Sequence, residues 1–140
     1  MVGIVSMAVL LTAASLLLDA RWGDPIGVGL LVVAGVLAAS GIMALVASVT
    51  RTAEQASNAA SVVAVLMGVL GGVFIPIQQV SGVFATLSLI TPHRWFLQGL
   101  SDIHGGNAPV VAFVPVLALL GFAAVTISIA LLRVGRMLRT

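Results

Sequence analysis

The sequence predicts an all-α polytopic membrane protein with four transmembrane helices and a re-entrant helical hairpin before the last one. Three observations carry that prediction. Of the 140 residues 61% are hydrophobic and only 7% are charged, with a mean hydropathy of +1.26. A soluble domain carries about 25% charge, so this core is built against lipid and neighbouring helices. The apolar residues fall into runs near the ~20 residues needed to cross about 30 Å of hydrocarbon. The third run is broken by Gly71, Gly72 and Pro76, after which the chain returns to apolar sequence. Broken helices at membrane depth persist only where protein or a water-filled cavity surrounds their backbone.

Helices are expected over 2–18, 26–49, 57–75 and 110–132, with a re-entrant or interfacial segment over 76–106, all in one transmembrane domain, 1–140. The first run has no positive residue ahead of it, and the first charge in the chain is Asp19. A signal peptide opens with Lys or Arg and leads into a soluble domain, and this segment does neither. It reads as a helix whose beginning is cut off, and the chain as a fragment, the C-terminal part of a longer membrane protein. Orientation follows from the arginines, because positive charge near span ends is normally cytoplasmic. Arg51, in the connection TRTAEQASN, and the tail residues Arg133, Arg136 and Arg139 share one side in a four-span chain. The other side holds Arg21, Arg94, three aspartates and both histidines, so the C-terminus is placed in the cytoplasm of a multi-pass plasma-membrane protein.

The stretch after the third run shapes the hairpin. Gly71 and Gly72 weaken the helix, and Pro76 removes a backbone donor and clashes with the preceding turn. Ser81 to Ile90 reads as a short apolar helix. Thr91 followed by Pro92 offers a capping side chain and a proline at the first helical position. Phe96, Leu100 and Ile103 then recur at helical spacing, with His93, Arg94, Gln98 and Asp102 at other positions. A hairpin dipping into the outer leaflet and a loop lying flat on the membrane are both compatible with this pattern. Trp22 and Trp95 belong at the outer interface, where aromatic rings collect.

A second pattern runs along the third span: Ala56, Ala60, Ala64, Gly68 and Gly72 recur every fourth residue and form a stripe of small side chains. Such stripes let helix backbones approach closely in lipid. Packing within the subunit and a dimer seam are equally open readings of it.

Catalysis finds no residues in the spans. None of the four apolar runs holds Asp, Glu, Lys, Arg or His, whereas intramembrane chemistry and ion coupling require buried ionisable groups. His93, Asp102 and His104 are close in sequence, but they read as interfacial polar residues on a loop flanked by water and not as metal ligands. No Gly-rich phosphate loop ending in Gly-Lys-Ser or Gly-Lys-Thr is present, and there is no cysteine. No catalytic, cofactor or metal site is expected in the chain.

The order of Gly71-Gly72, Phe74, Pro76, a short apolar helix, Leu87-Ser88, Thr91-Pro92, Trp95, Leu100 and Asp102 resembles the C-terminal signature of type-2 ABC exporter permeases. TRTAEQA, residues 50–56, is similar to the cytoplasmic link those permeases carry before their fifth helix. On this resemblance, 1–18, 26–49, 57–75 and 110–132 correspond to the third to sixth helices. The first two helices and the coupling helix between the second and third would precede Met1. The resemblance implies a permease facing a second permease, as a homo- or heterodimer, with cytoplasmic ABC ATPase subunits binding the ATP. It implies no enzymatic activity and no cofactor in this chain. Arg51, Glu54 and Gln55 would face the ATPase, while the arginine tail meets anionic lipid. Gly71, Gly72, Pro76, Thr91, Pro92 and Trp95 would form the hairpin and its hinge. Export of a hydrophobic or amphipathic substrate, drug-like or lipid-like, is the function expected, with no role in nucleic-acid binding. The alternative is a small non-transporting membrane subunit that assembles through its small-residue stripe.

Overall fold

The computed structural model describes residues 2–72, 82–104 and 109–137, and no strand occurs among them. The elements in order are α1 (Val2–Leu18), α2 (Pro25–Val49), α3 (Ala53–Leu70), α4 (Val83–Ser88), α5 (Pro92–His104) and α6 (Phe113–Met137), the last entered through a 3-10 turn at Pro109–Ala112. Three stretches, Pro25–Val49, Ala53–Leu70 and Val110–Arg136, are long and apolar enough to cross a membrane. The fourth expected span, α1, is a shorter apolar helix of 17 residues, about 25 Å at 1.5 Å per residue.

Local chemistry sets the helix ends. At the start of α2 the Asp24 carboxylate accepts a hydrogen bond from the Gly27 N–H at 2.7 Å, and Pro25 occupies the first turn, where its missing N–H costs nothing. The α3 start departs from the expected boundary at 57. Thr52 caps it by accepting from the Gln55 N–H at 3.1 Å, and the Gln55 side-chain oxygen accepts from the Arg51 N–H at 3.1 Å. This reciprocal pair resembles a capping box, and it draws Glu54 and Gln55 out of the expected connection and into the first helical turn. The negative charge of Glu54 suits the positive end of the helix dipole there.

The far end of α3 comes earlier than the expected 75. Gly71 closes it by donating its N–H to the Met67 carbonyl at 2.8 Å, and Gly72 follows with φ of 90°. That left-handed backbone favours glycine and turns the chain out of the helix. Pro76, expected to stop the span, lies outside the described residues, as does the rest of 73–81.

The core lies where α2 and α6 pack side by side with α5 against both. Leu31, Ala38, Ile103 and Leu119 are fully buried there. The two long helices run in the same direction, since Gly99 of α5 touches Leu31 and Pro115 near their starts and Gly41 meets Thr126 and Ile127 farther along. Thr126 donates its hydroxyl to the Phe122 carbonyl at 2.7 Å. α5 runs antiparallel to the first half of α2: Phe96 abuts Gly35, Gly99 abuts Leu31, and Ile103 abuts Gly27. At its last residue, the His104 Nδ1 meets the Arg21 carbonyl. Thirteen residues give α5 a length of about 20 Å, too short to cross the hydrocarbon layer.

α1 and α3 flank this core. α1 is held to the start of α2 by Trp22, whose indole N–H donates to the Ser15 hydroxyl at 2.9 Å and the Leu11 carbonyl at 3.2 Å. The outward face of α3 exposes Val62, Val65, Leu66 and Val69. In water so large an apolar face would be an aggregation liability, and in a bilayer it is the surface lipid covers.

Candidate functional site

The helix arrangement leaves a cleft of about 810 Å³ between α1, α2, α3 and the N-terminal end of α5. Its floor is the middle of α2, where Gly35, Val36, Ala39 and Met43 keep the surface low and apolar. Ser6 and Met7 of α1 form one wall, and Val63, Ala64 and Met67 of α3 the other. Pro92, His93, Phe96 and Leu97 of α5 close one end. The size suits a drug-sized or lipid-sized molecule, and the lining is the apolar kind with few polar groups that small-molecule sites show.

Small residues make the closure possible. A Cβ at Gly71 would overlap the Cβ of His93 and lie 2.7 Å from the Met67 carbonyl oxygen and 3.0 Å from the Thr91 hydroxyl, so α3 and α5 meet at closer range than any side chain allows. The start of α5 is tied in place from the other direction too. Thr91, buried, donates its hydroxyl to the Ser88 carbonyl at 2.7 Å, and the Trp95 indole N–H donates to the Leu89 carbonyl at 2.9 Å, fastening α5 to the turn after α4.

His93 is the ionisable side chain of the cleft lining. Its Nδ1 is buried and finds no hydrogen-bond partner among the described residues, and the same holds for one guanidinium nitrogen of Arg94. Burial pushes the His93 imidazole below its ordinary value of 6.5, because the charged form loses hydration there. The ring is therefore neutral at physiological pH, with one nitrogen able to donate and the other to accept.

Several residues singled out from sequence converge here. Gly71 and Thr91 meet at the α3–α5 contact, Pro92 lines the cleft next to it, Trp95 braces it, and Gly72 supplies the turn beside it. Of the small-residue stripe, Gly68 is buried, Ala56 and Ala60 are half-buried, and Ala64 lines the cleft. Arg51, Glu54 and Gln55 sit exposed at the opposite end of α3, about 27 Å away by helix rise, and are not brought to the cleft.

The two histidines part company. His104 stays with the Arg21 loop, while His93 lies at the other end of the same helix, half-buried against Gly71. Both lie on α5 and not on the loop expected for them, His93 half-buried and His104 exposed. The signal was present in the sequence, since His93 precedes Phe96, Leu100 and Ile103 at the same helical spacing that marks the packed face. No group of three or more His, Cys, Asp or Glu side chains suited to a metal ion occurs among the described residues.

Comparison with known proteins shows the family of the chain. Residues 1–104 match the family model for the ABC-2 type transporter. The chain is 27% identical over 126 residues to the linearmycin resistance permease protein LnrN of Bacillus subtilis (strain 168), covering 89% of this chain and 33% of that protein. It thus spans about a third of the length of the curated relative it matches. No solved structure matches. With most of its length inside the family model and its long apolar helices fit to cross a membrane, this chain belongs to the ABC-2 type transporter family as a membrane permease component.

Proposed function

We propose that this chain forms part of the permease of an ATP-driven exporter of hydrophobic or amphipathic molecules. In this reading α1 crosses the membrane with α2, α3 and α6, and α4 and α5 form a hairpin that enters from the outside and returns without crossing. The observation that carries it is the position of α5: about 20 Å long, laid along the first half of α2, with its N-terminal end closing an apolar cleft. A substrate would enter the cleft from the lipid side and leave outward when the α3–α5 contact opens. The C-terminus and the Arg51 turn face the cytoplasm, where Arg51, Glu54 and Gln55 contribute to contact with a separate ABC ATPase that binds the ATP. A second permease, identical or different, completes the path, and the stripe from Ala56 to Gly72 supplies close helix packing. The resistance function in the name of the Bacillus relative supports outward transport of a small amphipathic compound.

The test is transport in everted membrane vesicles that hold the permease with its ATPase. A fluorescent amphiphile should accumulate with ATP and not with ADP. Replacing Gly71 and Gly72 together by leucine should remove accumulation while leaving membrane insertion intact. Accumulation that is indifferent to ATP, or unchanged in the double variant, would contradict the proposal.

A further inference from the structure

We draw no further inference here: the strongest candidate, the apolar cleft between α1, α2, α3 and the N-terminal end of α5, carries none because nothing in the structure shows what covers it.

Discussion

Replacing Gly71 with alanine adds one methyl group at the point where α3 meets α5. The added carbon would overlap the Cβ of His93 and lie 2.7 Å from the Met67 carbonyl oxygen, and neither atom belongs to the flexible end of a side chain. Overpacking a close-packed site costs about 1–3 kcal/mol, and two unyielding neighbours place this case in the upper half. Alanine recovers part of that, about 0.4–1 kcal/mol, by reducing the freedom of the unfolded chain. The net expectation is a loss of about 2 kcal/mol. Gly29, exposed inside α2, provides the control, because a Cβ there meets nothing within 4 Å. Gly29→Ala should stabilise by about 0.5–1 kcal/mol, as alanine does in a helix interior. Both variants add the same atom, so the difference of roughly 3 kcal/mol isolates packing. Titration of the purified proteins with SDS in mixed micelles measures it. Equal stability of the two variants, or a Gly71→Ala protein as stable as native, would refute the claim that α3 and α5 touch at this range.

Other perturbations test separate parts of the structure. Asp24→Ala should cost about 1 kcal/mol by removing the α2 cap, and Asp24→Asn should restore most of it, read from the same titration. Trp22→Phe removes an indole N–H shared between Ser15 and Leu11, and should lower stability by about 1 kcal/mol and raise protease cleavage at the α1–α2 connection. Thr52→Val should fray the start of α3 and speed amide hydrogen exchange at Gln55, with little effect at Met67. The His93 titration has a defined sign: its folded value is lowered, so its contribution is intact above 6.5 and is lost as pH falls through the lower folded value. Stability should therefore be flat above 6.5 and decline below it, and His93→Gln should flatten that decline.

Much of this architecture was legible because lipid simplifies the code. Apolar runs gave α1 and α2 nearly to the residue, since the hydrocarbon layer imposes a length, whereas α6 starts three residues later and ends five residues later than the run at 110–132. The glycine pair marked the end of α3, although helix termination came at Gly71 itself and not at Pro76. The packed face of α5 was legible from Phe96, Leu100 and Ile103, and Ile103 is fully buried. The cleft was not legible, because it depends on how four helices diverge, and no local spacing in any one of them encodes that distance. The half-burial of His93 was missed for a related reason: a polar residue at a helix start reads as interfacial until the neighbour that covers it, here Gly71 at the end of another helix, is known. The α3 start was missed although Thr52 and Gln55 spell a capping pattern, because the polarity of TRTAEQASN outweighed it. Whether the stripe from Ala56 to Gly72 also meets a second permease is not encoded in one chain, since a small-residue face serves either contact.

The proposed re-entrant hairpin requires α5 to enter the membrane from the outside and return, with His93 at depth and His104 at the surface. The sequence contains no cysteine, so single cysteines can be introduced at Arg51, His93 and His104 without background. Intact cells are then exposed to a membrane-impermeant maleimide. The re-entrant reading predicts rapid labelling at His104→Cys, labelling at Arg51→Cys only after permeabilisation, and labelling at His93→Cys at least about tenfold slower than at His104→Cys, as a position at membrane depth requires. Equal, rapid labelling of His93→Cys and His104→Cys would place α5 flat on the outer surface and contradict the re-entrant hairpin.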